Sequence, residues 1–290
     1  MEWFFKNIRY DLKYEWKLSR NSSEFKINQI ITLKEGSYIF ESEAAPNIRY
    51  NETPELNEKA FYRFLEEYKH EPDLRPELFD RHISGLNLPV SLSFAISSAY
   101  LKYYCFKKSI NLSQFFGITN IQPVQSCYTI PVLDDKQNAI DFYNDLGLSR
   151  FKYLKLKLDA NSSPEYVQEI YNIHQKPLML DANEGFKSLD EYFYFENSIK
   201  NIPIIFVEEP LSKELYLYYP ELKHKSIFKL LADESLSGEI NWDFLQKSFH
   251  GINMKYQKAG SITRGLEIIN KAKQLGFFTM CGCCLLYTSD

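Results

Sequence analysis

Several short apolar segments of this sequence carry ionisable residues at or near their C-terminal ends. In chain order these residues are Lys155 with Lys157, Asp181, Glu208 with Glu209, Asp233 with Glu234, and Lys255. Any one of them has a structural explanation, because an acidic residue that ends a strand is often a helix cap or part of a solvated turn. Their occurrence together on five consecutive segments favours one shared site.

The spacing of three acidic residues predicts a cation site. Asp181 and Glu208 are 27 residues apart, and Glu208 and Asp233 are 25 apart, so each falls at the same place in successive strand–helix repeats. Neighbouring carboxylates that face a common centre repel one another until a proton or a bound cation relieves the repulsion. Oxygen ligands with no His or Cys among them favour Mg²⁺.

The lysines predict acid/base groups on two sides of that cation. Lys155 and Lys157 are two residues apart on a predicted strand, so both side chains project from the same face. Mutual repulsion and burial should lower a lysine pKa to about 7 to 8, which suits a general base. Lys255 lies four strands further on. If the strands close into an eight-stranded barrel, as the hydrophobic pattern described below predicts, Lys255 lies across the barrel mouth from Lys155 and Lys157. Lys258 is predicted to lie past the strand and out of reach.

This arrangement suits removal of the proton α to a carboxylate. A Mg²⁺ ion that chelates a substrate carboxylate acidifies the α-proton, because it stabilises the enediolate that forms. A base on each side of the α-carbon can take the proton from one face and return it to the other, which predicts a racemase or epimerase. The alternative is a binding or structural barrel in which the lysines only neutralise the carboxylates, but buried ion pairs rarely stabilise a fold enough to explain five charged strands.

The elements that must position these residues follow from the hydrophobic pattern. Seven apolar runs, from SCYTIPV to FFTMCGC, begin roughly 22 to 28 residues apart, which is the length of a βα unit and predicts parallel strands. The first 45 residues alternate polar and apolar positions, and helical patterns follow near 56–71 and 91–107. We predict an α/β protein with an N-terminal α+β capping domain (1–118) and a catalytic (β/α)₈-type TIM barrel (119–290). An open doubly wound sheet is the alternative to the barrel.

Composition favours a globular protein that acts on a small molecule. The chain has 290 residues, 44% apolar and 25% charged, with a net charge of −4, which argues against disorder. The sequence contains no block of basic residues, so no nucleic-acid partner is predicted. It also contains no run of 18 apolar residues, so no membrane span is predicted. The start does not resemble a secretory signal, so we expect a cytoplasmic protein. Five cysteines, three of them within 281–284, form no disulfide framework.

Five motifs in chain order resemble the muconate-lactonizing-type subgroup of the enolase superfamily. They are K-x-K at 155–157, D-x-N at 181–183, VEEP at 207–210, ADES at 232–235 and the first lysine of KYQKAGS at 255–261. Sites of this superfamily use a Lys or His base together with Mg²⁺. Within the subgroup, the patterns S-R-x-S, YTIPV, K-x-x-K-A-G and T-M-C-G-C are more similar to dipeptide epimerases than to o-succinylbenzoate synthases, which remain the alternative.

The resemblance implies a role for each motif residue. Asp181, Glu208 and Asp233 would ligate one Mg²⁺ per subunit, Lys157 and Lys255 would be the acid/base pair, and Lys155 their electrostatic neighbour. Asn183 and Glu234 would surround this set. Loops of the capping domain would select a carboxylate substrate, here a dipeptide, through Arg20, Arg49 and Tyr50. Assembly into a homo-oligomer stays open.

The C-terminal residues depart from the family pattern. The chain reaches Asp290 directly after the seventh apolar run, with CLLYTSD, where family members continue into an eighth strand. We expect a C-terminally truncated product with an incomplete barrel of about seven strands. A barrel that lacks a strand exposes two unpaired edges, so an inactive truncated barrel is a further alternative.

Overall fold

A computed structural model describes residues 1–17, 22–68, 73–133, 136–159 and 162–283, with the side chains at 13–17, 22–23 and 136 left out. Arg20, on which a prediction was made, lies outside the described residues. So do residues 284–290, which include the unusual C-terminal sequence. None of the helices within the described ranges is long and apolar enough to cross a membrane.

The N-terminal part begins with a three-stranded antiparallel sheet in the order β1-β2-β3. Its strands are β1 (Glu2–Lys17), β2 (Ser22–Glu35) and β3 (Tyr38–Ala44). The alternating pattern of the sequence therefore predicted the meander correctly. Ile31 and Leu33 on β2 are fully buried, because alternate side chains of a strand point to the same face. Gly36 supplies the left-handed φ of +59° in the turn between β2 and β3.

Helices cover one face of this sheet and complete the capping unit. They are α1 (Pro54–Glu67), α2 (Pro76–Gly85), α3 (Val90–Lys107) and the short α4 (Leu112–Phe115). The sequence predicted α1 and α3 but missed α2, which buries only Pro76, Phe79 and Ile83. Phe79 of α2 stacks on Tyr100 of α3 with ring centroids 3.8 Å apart, so α2 is held mainly by contacts from elsewhere in the chain.

The second part is a curled parallel sheet of seven strands with helices outside, a half-barrel. The strands are β4 (Cys127–Ile130), β5 (Tyr153–Lys157), β6 (Leu178–Asp181), β7 (Ile204–Glu208), β8 (Leu230–Ala232), β9 (Gly251–Met254) and β10 (Phe278–Cys281). The helices are α5 (Lys136–Asp145), α6 (Pro164–His174), α7 (Leu189–Ser198), α8 (Tyr219–Lys225), α9 (Trp242–Ser248), α10 (Tyr256–Ala259) and α11 (Ile262–Gln274). All seven predicted strands are confirmed. Within the described ranges the sheet runs in sequence order from β4 to β10.

Strand β5 shows how the sheet separates its core from its site. Leu154 and Leu156 are fully buried in the apolar core between the sheet and its helices. Lys155 and Lys157 alternate with them and are also buried, at 6% and 8% exposure, so they point into the interior of the curl. The strand therefore provides both packing and charged groups.

The capping unit is fixed to the barrel near α10. The side-chain amide of Gln257 accepts from the Ala45 N–H at 3.2 Å and donates to the Ala45 carbonyl at 2.6 Å. Asp80 of α2 accepts hydrogen bonds from Ser97 on α3 and from Thr263 on α11. These contacts hold the segment after β9 against the cap.

Candidate active site

Strand register brings the predicted site residues together at the carboxyl ends of the parallel strands. Lys157 of β5 lies opposite Asp181 of β6, and Asp181 lies opposite Glu208 of β7. Asp233 follows directly after β8. The three carboxylates are almost fully buried, at 0%, 0% and 2% exposure. The predicted convergence of these residues is therefore observed.

Lys155 and Lys157 contact the first two carboxylates. Lys155 Nζ lies 2.8 Å from Asp181 Oδ2 and 2.5 Å from Glu208 Oε2, so it bridges two strands. Lys157 Nζ lies 2.5 Å from the same Asp181 oxygen and donates to Asn183 Oδ1 at 2.9 Å. The two ammonium groups thus share one carboxylate oxygen.

Asp233 is held by two lysines from the segment after β9. Lys255 Nζ donates to its Oδ2 at 2.6 Å, and Lys258 Nζ donates to its Oδ1 at 2.6 Å and to its backbone carbonyl at 2.9 Å. The prediction that Lys258 lies out of reach is wrong. Helix α10 begins directly after Lys255, and residues three apart on a helix lie on the same face, so Lys258 returns to the site.

The two candidate acid/base lysines flank the carboxylates. The strand order places Lys157 on β5 and Lys255 after β9, with the three carboxylate strands β6, β7 and β8 between them. This arrangement agrees with the expectation that they lie on different sides of the acidic cluster. The acidic cluster therefore has a candidate acid/base lysine on each side.

The titration of these groups reflects burial and mutual contact. Burial raises the pKa of the Glu208 carboxyl to about 7, and the charge of Asp181 adds to the shift. Burial would also raise the pKa of Asp181, but Lys155 and Lys157 together outweigh it and hold that pKa below its usual range. For Lys155 the expected lowering is wrong: burial acts that way, but Asp181 and Glu208 outweigh it and raise its pKa.

The oxygen donors are of the type that a hard divalent cation requires. Carboxylates are preferred ligands of Mg²⁺, and Asp181, Glu208 and Asp233 supply them from neighbouring strand ends. In the part of the chain that the structure describes, each carboxylate is turned toward an ammonium group, and no three His, Cys, Asp or Glu side chains form a metal-binding group. The donor chemistry fits Mg²⁺, and the lysines compete for the same oxygens.

Two further acidic residues at the strand ends were given no role by the sequence analysis. Glu209 is fully buried and accepts from the Asp233 N–H at 2.8 Å and from the backbone and hydroxyl of Ser235. Burial, with the charge of Glu234, raises its pKa to about 8. Glu184 follows the D-x-N motif and is 6% exposed. The signals available were that Glu209 is the second acid of the VEEP motif and that Glu184 directly follows the D-x-N motif.

The loop between β3 and α1 brings the capping unit into the site. Its 3-10 turn Ile48–Tyr50 is capped by the Asn47 side chain. The Arg49 guanidinium donates to Glu184 and lies 3.8 Å from Glu234 Oε1. The Tyr50 ring centroid lies 5.3 Å from Lys258 Nζ, a distance at which cation–π attraction operates. The two described residues of the predicted substrate loops therefore both lie at the site.

A model of the family described as Enolase C-terminal domain-like matches residues 137–289. The chain belongs to the enolase superfamily. Two curated relatives extend the similarity over nearly the whole sequence. The L-Ala-D/L-amino acid epimerase of Flavobacterium johnsoniae is 26% identical over 285 residues, which cover 98% of this chain and 83% of the relative. The enzyme of the same name from a Maribacter species is 25% identical and covers 96% and 81%.

Solved structures of the superfamily share the fold. The substrate-liganded L-Ala-D/L-Glu epimerase from Bacillus subtilis has a TM-score of 0.88 at 22% identity and covers 99% of this chain and 82% of that one. The dipeptide epimerase from Cytophaga hutchinsonii, complexed with Mg and D-Ala-L-Val, has a TM-score of 0.85 at 21% identity and covers 97% and 78%. These likenesses establish the two-part architecture, a cap followed by a curled parallel sheet.

Proposed function

We propose that this protein is a Mg²⁺-dependent isomerase that epimerises a dipeptide by moving the proton α to its carboxylate. The observation that carries the proposal is the row of three buried carboxylates, Asp181, Glu208 and Asp233, between Lys157 and Lys255. A purely structural cluster would not need lysines on both sides of the acids. The epimerase names of the relatives support the same reaction class.

The three carboxylates would hold the cation. When bound, Mg²⁺ would chelate the substrate carboxylate and stabilise the negative charge that appears as the α-proton leaves. Lys155 supports the same charge balance, because its ammonium bridges Asp181 and Glu208. Asn253 Nδ2 donates to Glu208 Oε1 at 2.8 Å and fixes the orientation of that carboxylate.

Lys157 and Lys255 would carry the proton. One amine takes the α-proton from its face of the substrate, and the protonated amine on the other side returns a proton to the opposite face, so the configuration inverts. The capping unit, proposed at residues 1–118, would close the site above the barrel at 119–290. Arg20, Arg49 and Tyr50 remain proposed substrate contacts, from loops that precede α1.

Exchange with solvent deuterium tests the reaction. The protein is incubated in D₂O with MgCl₂ and with L-Ala-L-Glu, the substrate type in the relatives' names, and the α-proton of the C-terminal residue is followed by NMR. We expect loss of the α-proton signal together with appearance of the L,D diastereomer. Lys157→Ala should abolish epimerisation, and so should chelation of the metal. Lys247→Ala is the matched control, since the Lys247 side chain on α9 is 63% exposed, and it should leave the rate unchanged.

The outcomes separate the candidate functions. Absence of exchange with any dipeptide, combined with loss of water from a hydroxylated succinylbenzoate-type acid, would replace the epimerase with the synthase-like dehydratase. No exchange from any carboxylate substrate, and no change on Lys157→Ala, would leave an inert barrel. Exchange that survives complete removal of divalent metal would overturn the Mg²⁺ requirement.

A further inference from the structure

A chain of buried polar side chains connects the capping loop to Lys157. The Arg49 guanidinium donates to Glu184 and lies 3.8 Å from Glu234 Oε1. Asn183 Nδ2 donates to the same Glu234 oxygen at 3.3 Å, and Asn183 Oδ1 accepts from Lys157 Nζ at 2.9 Å. Asn183, Glu184, Glu234 and Lys157 are each at most 8% exposed, so the contacts lie in a low-dielectric environment where hydrogen bonds polarise one another.

Two neighbouring residues of this side-chain network have an uncommon backbone conformation. Asn183 and Glu184 have φ values of 45° and 62°, in the left-handed region that non-glycine residues adopt uncommonly. Such a conformation persists only where the surroundings determine it. Here the Glu184 N–H donates to the Glu209 carbonyl at 2.7 Å, and the Asn183 N–H donates to Asp181 Oδ1 at 3.2 Å. The result is that the two neighbours face different partners, Asn183 toward Lys157 and Glu184 toward Arg49.

Each side chain in this network orients the next one. The Asn183 amide has a defined direction, because its nitrogen faces the Glu234 carboxylate and its oxygen faces the Lys157 ammonium. The carboxylates of Glu184 and Glu234 are nearly fully buried, and the Arg49 guanidinium lies close to both. Without Arg49 the buried carboxylates of Glu184 and Glu234 lose a counter-charge, and the direction of the amide is no longer fixed from the cap.

Lys255, the other candidate acid/base group, is held differently. Its ammonium donates to Asp233, and the cap reaches that side through the Tyr50 ring above Lys258. The contacts described above lead from Arg49 to Lys157.

We propose that Arg49 is a positioning residue for Lys157: through Glu234 and Asn183, the seating of the loop at 46–53 and the placement of the Lys157 amine are coupled. The inference rests on the proposed function, and it distinguishes the two directions of proton transfer within that function. Proton transfer on the Lys157 side depends on the seated loop more strongly than transfer on the Lys255 side does.

Solvent exchange measured separately for each diastereomer tests this coupling. L-Ala-L-Glu and L-Ala-D-Glu are each incubated with enzyme and MgCl₂ in D₂O, and the initial rate of α-proton loss is recorded. Lys157→Ala identifies the diastereomer that Lys157 deprotonates. At saturating substrate, Arg49→Met should slow exchange of that diastereomer about tenfold more than exchange of the other, the size of a typical coupling between sites. Loss of the proposed substrate contact of Arg49 would instead affect both diastereomers alike. Arg49→Lys should restore part of the rate.

A second measurement needs no catalysis. Coupling is reciprocal, so Lys157→Met should increase amide hydrogen exchange of residues 47–53 several-fold, as followed by mass spectrometry. Lys255→Met is the matched control, because it also removes a partly buried lysine from a carboxylate, and it should leave these amides unchanged.

The two measurements separate failure of the inference from failure of the proposed function. Equal slowing of both diastereomers by Arg49→Met in an active enzyme overturns the positioning role and leaves the epimerase intact. An equal response of the loop to the two lysine variants also overturns it. A protein that exchanges neither dipeptide, but whose loop loosens only in Lys157→Met, retains the coupling and loses the epimerase assignment.

Discussion

Replacement of Lys155 by Met tests whether the buried acids form a cation site or only ion pairs. The Lys155 ammonium lies 2.8 Å from Asp181 and 2.5 Å from Glu208. At an effective dielectric constant of about 20, each contact provides about 6 kcal/mol of attraction, which the desolvation of the three groups largely offsets. Removal of one partner from such a buried set costs about 3 to 5 kcal/mol. Methionine keeps most of the packing volume, so the loss reports charge.

The pH dependence of the cost has a defined sign. Glu208 already has its pKa raised to about 7, and the loss of Lys155 raises it further. An acid that binds its proton more tightly in the folded state loses stability as pH rises from its unfolded value through its folded value. The variant should therefore be least stable, relative to wild type, above pH 7, and should recover as Glu208 takes up a proton at lower pH.

Urea unfolding with and without MgCl₂ measures both effects. A ligand that binds only the folded state at 100 times its dissociation constant adds about 2.7 kcal/mol. Because Mg²⁺ no longer competes with the Lys155 ammonium, it should stabilise Lys155→Met more than wild type, with NaCl at matched ionic strength as the control. Stabilisation of neither protein by Mg²⁺, or of wild type more than the variant, would falsify the cation-site reasoning and favour ion pairs alone.

Three further predictions concern stability. His250 Nδ1 accepts a hydrogen bond from the Leu230 N–H at 3.0 Å, and burial with nearby lysines lowers the pKa of His250. Wild type should therefore lose stability relative to His250→Gln as pH falls through about 6.5. A stability difference between the two proteins that stays constant from pH 7.5 to 5 would contradict this. A Cβ on Gly251 would lie 2.6 Å from the Phe278 ring, so Gly251→Ala should cost about 1 to 3 kcal/mol in urea unfolding, and an unchanged midpoint would show that β10 can shift freely. Phe79→Ala should cost about 3 to 5 kcal/mol, because it removes a fully buried ring from the cap core; a loss below 1 kcal/mol, measured by calorimetry, would mean that α2 contributes little to that core.

The hydrophobic pattern was enough to predict the strands and the order of their charged ends. Seven apolar runs became seven strands. The reason is that a parallel strand covered on both faces must carry apolar side chains, or charged side chains that are paired with opposite charges. Helix α2 was missed, because it contains few buried residues and is stabilised by stacking between Phe79 and Tyr100, a contact between separate helices. Local sequence does not encode such a contact.

The chemistry of the site was only partly predictable. Register fixed the meeting of Asp181 and Glu208, and strand spacing anticipated it. The return of Lys258 to Asp233 depended on the turn of α10 immediately after Lys255, which strand periodicity cannot indicate. The pKa of Lys155 required the positions of both acids, because burial and ion pairing act in opposite directions on an ammonium group.

The two hydrogen bonds between the Gln257 side chain and the backbone of Ala45 have a consequence for domain exchange. They are made to main-chain atoms, so they do not depend on which side chain the cap carries at position 45. A cap transplanted from another superfamily member would keep these two hydrogen bonds provided that its backbone lies in the same position relative to Gln257. The turn that carries Lys255 and Lys258 would then stay anchored while the proposed substrate loops of the cap change, a route by which new specificities can arise without rebuilding the proposed proton-transfer residues.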